Sequence, residues 1–293
     1  MAKEYDYQLA RREMAEGDAK RDAGLVPPEN IERRLDVSYG PYGENLLDVY
    51  YLKGTNKPRP VIINIHGGAW IYGDKELYSH YCMRLAQRGF SVVNFTYRLA
   101  PEYRYPAPLE DTAAVFRWVL RNAKEYFLDT ENIFVLGDSA GGQLCHQICT
   151  IATNPQYAKM FSFRLPEELK IRACALNCGA YVFLASRFFK PYGVYQCYLP
   201  ENYREVLPQL KVSKFMTADF PPAFVMTAAN DYLKMLAKPL YKKLKRLGVD
   251  AELHIYGKKE DKHMGHVFHV NCYLPEAVVC NDDECNFFRR YMV

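Results

Sequence analysis

Serine, aspartate and histidine occur here in an order and setting that would support nucleophilic attack on a carbonyl. A serine hydroxyl is a weak nucleophile until an imidazole takes its proton, a carboxylate holds that imidazole, and N–H donors meet the oxyanion that forms. Ser139 lies in Gly137-Asp138-Ser139-Ala140-Gly141, between an apolar run at 133–136 and a helix-like run that follows Gly142. Strand, tight turn and helix are the context an exposed nucleophile requires. Small residues on either side let strand and helix approach, and the turn lifts the hydroxyl clear with the Ala140 N–H facing the same space. Taken alone, the stretch also fits a glycine-rich turn with an incidental serine.

Each remaining requirement has a candidate at the end of an expected strand. Val61-Ile62-Ile63-Asn64-Ile65 runs into His66-Gly67-Gly68-Ala69-Trp70, a turn whose consecutive N–H groups could bind an oxyanion together with that of Ala140. Ala223–Ala228 leads to Asp231, which as a lone residue would equally serve as a helix cap. Asp219 and Asp250 are weaker alternatives, since each precedes a strand. After the last strand comes a loop with His263, His266 and His269, while His254 lies within the strand and reads as structural. His266 is the expected base. In Met264-Gly265-His266-Val267-Phe268 the phenylalanine can anchor the loop while the imidazole turns inward, and the order Ser, Asp, His is kept.

The elements that must position these residues follow from the hydrophobic pattern. Residues 1–25 carry dense mixed charge with a thin apolar stripe (Tyr7, Leu9, Ala10, Met14), a helix that must lean on something else. Runs at 34–39 and 46–52 around Gly40-Pro41-Tyr42-Gly43 predict a hairpin. Further strands are expected at 61–65, 91–96, 133–136, 173–177, 223–228 and 251–255, and helices at about 76–88, 108–124, 142–152, 234–247 and 282–292. Apolar strands alternating with helices indicate an α/β class, with one eight-stranded, mostly parallel sheet covered on both faces. The alternation breaks between Gly179 and Pro222, where aromatics including Tyr181, Phe183, Phe188, Phe189, Tyr192 and Tyr195 argue against a solvated loop. That stretch, about 181–220, is expected as a small helical cap over the strands' carboxyl ends, with a peripheral subdomain or dimer face as the alternative.

Composition sets the outer limits. A chain of 293 residues with 49% apolar and 25% charged residues is ordinary for a globular protein, and a net charge of +4 without a Lys/Arg run points to no nucleic-acid partner. No stretch is long and apolar enough to span a membrane, and the N-terminus lacks a signal peptide's apolar core, so a cytoplasmic protein is expected. Nine cysteines without a C-x-x-C pair read as reduced core thiols rather than disulfides or a zinc site.

Together the pieces resemble an α/β-hydrolase of the hormone-sensitive-lipase-like carboxylesterase group. The likeness rests on His66-Gly67-Gly68-Ala69-Trp70, on Tyr97-Arg98-Leu99-Ala100-Pro101-Glu102 with Tyr105-Pro106-Ala107-Pro108-Leu109-Glu110-Asp111, and on Gly137-Asp138-Ser139-Ala140-Gly141-Gly142. Pro221-Pro222, Asp231 and His266-Val267-Phe268 complete it, in the family's order from about residue 40 to 275. The resemblance implies Ser139 as nucleophile, His266 as base and Asp231 as its orienter. It implies an oxyanion hole at Gly67, Gly68, Ala69 and Ala140, in which Gly67 also shapes the turn, His66 holds it, and the Arg98–Asp111 region braces that loop. It also implies that residues 1–30 join the 181–220 insertion in a cap on the hydrolase domain, 31–293. Trp70, Asp138, Tyr181 and Phe188 are expected at the substrate, a small-molecule ester, with no metal or organic cofactor and a possible homodimer.

Two departures bear on the substrate. The group usually shows three glycines where this chain has Gly67-Gly68-Ala69, and the His266 loop is longer and more basic than usual. Related sugar-deacetylating and formamide-cleaving hydrolases often carry the His-Gly-Gly-x-Trp form. Deacetylation of acetylated carbohydrates is therefore the alternative activity, and a hydrolase-fold protein without turnover the alternative class.

Overall fold

The computed structural model describes residues 5–181 and 190–293. Eight strands form one sheet: β1 (Ile31–Ser38), β2 (Leu46–Leu52), β3 (Arg59–Ile65), β4 (Ser91–Phe95), β5 (Leu128–Asp138), β6 (Ile171–Asn177), β7 (Ala223–Ala228) and β8 (Ala251–Tyr256). Their order is β1-β2-β4-β3-β5-β6-β7-β8. The β1–β2 hairpin joins through an antiparallel β2–β4 pair, and every pair from β4 to β8 is parallel.

Side chains alternate across this sheet as the pleat requires. Val61, Ile63, Ile65 and Val135 enter one apolar cluster, and Ile62, Phe134 and Leu136 enter the other, so both faces are covered. The main helices are α1 (Tyr7–Asp22), α2 (Ser79–Gln87), α3 (Ala107–Asn122), α4 (Ala140–Thr153), α5 (Ala237–Arg246) and α6 (Pro275–Arg289). Single-turn helices at Tyr195–Tyr198 and Tyr203–Val206 lie in the aromatic insertion. The nine cysteines are free thiols, eight of them buried. Among the described residues, no helix is long and apolar enough to cross a membrane.

Several boundaries differ from expectation for identifiable reasons. The first strand begins at Ile31 and bulges between Arg34 and Val37, where Asp36 takes φ 57° and its N–H bonds to Asp48. β5 begins at Leu128 because Leu128 and Asp129 pair with Arg59 and Pro60 ahead of a register shift. The segment expected as a helix from 234 opens with a 3₁₀ turn, Lys234–Leu236, before α5. The last helix starts at Pro275, ahead of the expected 282. Its buried stripe includes Asn281 and Glu284, polar residues that hide the apolar period.

Candidate active site

Ser139 sits between β5 and α4 at φ 53° and ψ −116°, a left-handed backbone that costs a non-glycine residue about 1–3 kcal/mol. The neighbouring glycines make that turn possible. A Cβ at Gly141 would lie 1.9 Å from the Ile65 carbonyl oxygen, and one at Gly137 would lie 2.4 Å from the Gly141 oxygen. Strand, turn and helix therefore meet backbone to backbone, and the N-terminus of α4 points its partial positive charge at the serine.

The Ser139 hydroxyl donates to His266 Nε2 at 2.9 Å, and His266 Nδ1 donates to Asp231 Oδ1 at 2.8 Å. His266 is reachable, with its side chain 16% exposed, whereas the Asp231 side chain is fully buried. Asp231 follows β7, where its Oδ1 also accepts the Leu233 N–H at 2.9 Å and its Oδ2 accepts the Thr227 hydroxyl at 2.7 Å. Burial alone would raise its pKa, but these donors, with His266 foremost, hold it below the ordinary value, so it is ionised at neutral pH. It holds the imidazole and also caps the turn after β7. Of the other histidines, His254 pairs with Glu252, His263 faces Glu276 from the surface, and His269 is enclosed in the core.

The turn after β3 brings further backbone N–H groups to the cavity around Ser139. The Gly68, Ala69 and Ala140 N–H groups bond to no described residue, and Gly68 and Ala69 face the cavity that holds Ser139. Gly67 departs from the expected set, because its N–H is taken by the Tyr78 phenol at 3.0 Å. His66, with its pKa lowered by burial to about 4, is neutral; its Nδ1 donates to the Gly67 carbonyl at 2.7 Å and its ring stacks on Tyr97. Arg98 pairs with Asp111 at 2.9 Å, and the neighbouring Tyr97 hydroxyl donates to the His66 carbonyl at 3.0 Å.

The cavity measures about 210 Å³. Its wall joins Ser139, His266, Asp138, Tyr78, Tyr232 and Val267 to Tyr72, Leu77 and three residues of α1: Met14, Asp18 and Arg21. Tyr72 donates to Asp18 at 3.0 Å, while Arg21 bonds to Asp18 and Asp22. Asp138, expected at the substrate, does line the cavity; burial pushes its pKa up to about 6, and Tyr78 donates to its Oδ2 at 2.8 Å.

Trp70 and Tyr181 do not reach the cavity. Trp70 turns into the core, stacked on Tyr198 at 4.5 Å with its indole N–H on Gln143, because the left-handed backbone at Ala69 and Trp70 swings it away from Ser139. Tyr181 is buried against His146. Phe188, like Phe183 and Phe189, lies outside the described residues. Sequence reasoning missed Tyr72, Tyr78 and Tyr232; it placed residues 1–30 in a cap but did not single out Met14, Asp18 or Arg21 as wall residues. Only Tyr232 carried a signal, its place beside Asp231.

Among the described residues, one set of possible metal ligands converges: Cys178, Asp231 and His266. In this set both His266 nitrogens and Asp231 Oδ1 are engaged in the run to Ser139, and Asp231 Oδ2 accepts the Thr227 hydroxyl.

A family described as alpha/beta hydrolase fold matches residues 62–270. Versiconal hemiacetal acetate esterase of Dothistroma septosporum is 37% identical over 134 residues, covering 45% of this chain and 40% of that one. Probable carboxylic ester hydrolase LipM of Mycobacterium tuberculosis is 30% identical over 216 residues, covering 68% and 48%. The chain thus spans less than half the length of these curated relatives. The crystal structure of esterase B from Lactobacillus rhamnosis superposes with a TM-score of 0.82 at 23% identity, covering 98% of this chain and 94% of that one, a likeness of fold. With the family match covering most of its length, the chain belongs to the α/β-hydrolase fold family.

Proposed function

We propose that this protein is a serine carboxylic ester hydrolase of the hormone-sensitive-lipase-like group, acting on short- to medium-chain esters through an acyl-enzyme. The observation that carries the reading is the unbroken hydrogen-bonded run Ser139–His266–Asp231 beside N–H groups that have no described partner. His266 takes the Ser139 proton as Oγ bonds to the ester carbon, and the carbonyl electrons move onto oxygen. The N–H groups of Gly68, Ala69 and Ala140 hold that oxyanion, and Asp231 stabilises the imidazolium. His266 then gives its proton to the leaving alkoxide as the C–O bond breaks. Water repeats the sequence on the acyl-enzyme and releases the acid.

A cavity of about 210 Å³, below the usual range of about 300–1,000 Å³ for ligand pockets, supports the short end of that acyl range. Relatives named as esterases support the reaction class. A second reading, removal of acetyl groups from carbohydrates, is favoured by the Asp18–Arg21–Tyr72 wall, which offers hydroxyl-rich alcohols polar hydrogen-bonding groups that an alkyl chain cannot use.

The test is hydrolysis of p-nitrophenyl acetate, butyrate, octanoate and palmitate beside Ser139→Ala. Rates peaking at acetate or butyrate and falling by about 10⁵ or more in the variant are expected. Faster turnover of acetylated sugars than of alkyl acetates would select the second reading. No turnover, with Ser139 unlabelled by a fluorophosphonate, would refute both.

A further inference from the structure

We infer that Tyr78 is the positioning residue of the oxyanion loop, tying that loop to the residue that precedes the nucleophile. The inference rests on the hydrolase reading above. Tyr78, buried at the start of α2, accepts the Gly67 N–H at 3.0 Å and donates its own proton to Asp138 Oδ2 at 2.8 Å. A backbone N–H can only donate and a phenol carries one proton, so the run has one direction: Gly67 N–H to Tyr78 O–H to Asp138.

Two consequences follow for the site. Gly67 is withdrawn from anion binding, which leaves Gly68, Ala69 and Ala140 as the donors. The gap between loop and elbow is also set by contact. A Cβ at Gly67 would lie 2.4 Å from Asp138 Oδ2 and 2.9 Å from the Tyr78 oxygen, so only glycine fits between them. The loop needs such a tie. Ala69 and Trp70 stand consecutively at φ 53° and 62°, conformations that persist only where their surroundings over-determine them. Other ties reach different sides of the turn: His66 holds the Gly67 carbonyl, Tyr97 the His66 carbonyl, the Ala100 N–H the Trp70 carbonyl, and Gln143 the Trp70 indole. Tyr78 fixes the side that faces Ser139. It thereby keeps the Gly68 and Ala69 N–H groups where the oxyanion forms, so that they need no rearrangement when it does.

The test is Tyr78→Phe, which keeps the ring and deletes the oxygen. We expect kcat to fall about 10- to 100-fold with KM within about twofold, since displaced donors weaken the transition state and not the ground state. A trifluoromethyl ketone, whose tetrahedral oxygen occupies the same hole, should bind more weakly by the same factor. A merely structural role would lower the melting temperature without linking those two losses. Asp138→Ala removes the tie from its other end and carries the test should the Phe variant not fold. The double variant should lose no more than the worse single one. Retention of kcat within twofold in Tyr78→Phe, ketone affinity that does not follow kcat, or losses that multiply in the double variant would each overturn the inference. An inert wild-type protein unlabelled at Ser139 would instead overturn the hydrolase reading beneath it.

Discussion

Replacing Asp231 with asparagine separates two roles that a catalytic carboxylate can play, orienting the imidazole and supplying charge. Oδ1 accepts from both His266 Nδ1 and the Leu233 N–H, while Oδ2 accepts from the Thr227 hydroxyl. An asparagine amide group turned toward His266 would also face the Leu233 N–H, donor against donor. Its oxygen therefore stays in place, and the amide nitrogen falls opposite Thr227, whose hydroxyl can rotate to accept. The Nδ1–H tautomer survives and only the negative charge is lost. Opposite charges about 4 Å apart at an effective dielectric of about 20 interact by about 4 kcal/mol. At 1.36 kcal/mol per decade, kcat should fall about 10³-fold in Asp231→Asn. Asp231→Ala also removes the orienting acceptor, and should lose at least a further tenfold. The assay is kcat on p-nitrophenyl acetate for both variants, with Ser139→Ala as the floor. Equal losses in the Asn and Ala variants would refute the argument that Leu233 pins the oxygen. An Asn variant within tenfold of wild type would show that Asp231 supplies little charge stabilisation.

Two further expectations concern stability and the α1 wall. Glu284 is enclosed in the core with Asn177 and Tyr81 as donors, and burial raises its pKa from the ordinary 4.5 to about 7. The folded state then holds a proton that the unfolded chain releases, so this contribution is full below pH 4.5 and is lost as the pH rises through 7. Glu284→Gln should match wild type in urea melts at pH 4.5 and exceed it by up to about 3 kcal/mol at pH 8; an unchanged difference across that range would refute the shift. Helix α1 has no fully buried residue; Tyr7, Ala10 and Met14 pack partly against the core, and Arg11 bonds to the Ile71 and Ala100 carbonyls and to Glu102. Arg11→Ala should speed amide exchange across 7–22 and raise KM about three- to tenfold, the equivalent of one hydrogen bond. Unchanged exchange would show that α1 is fixed by other contacts.

What could be read without coordinates, and what could not, divides along a physical line. Ser139, Asp231 and His266 each follow a parallel strand, where short-range rules act: a left-handed turn needs small neighbours, a carboxylate at a strand end faces the cleft, and chain order limits which histidine can arrive. Those rules are written locally, so the hydrogen-bonded run of Ser139, His266 and Asp231 was legible. The walls of the cavity are not local. Met14, Asp18 and Arg21 sit on a mixed-charge helix with no buried residue, and only its docking against the turn after β3 turns them toward Ser139. The same limit explains the exchange of roles between two aromatics in one loop. Trp70 stands beside the donor glycines and Tyr78 lies eight residues further on, so proximity in sequence favoured the tryptophan at the substrate. Yet no period of 2 or 3.6 runs through a segment whose backbone is left-handed at Ala69 and Trp70. Which ring faces the core is decided by the partners waiting there: Tyr198 and Gln143 for the indole, Gly67 and Asp138 for the phenol. On the function proposed above, this loop acts through its backbone N–H groups, and the side chains that would aim those groups become visible only once the tertiary partners are in place.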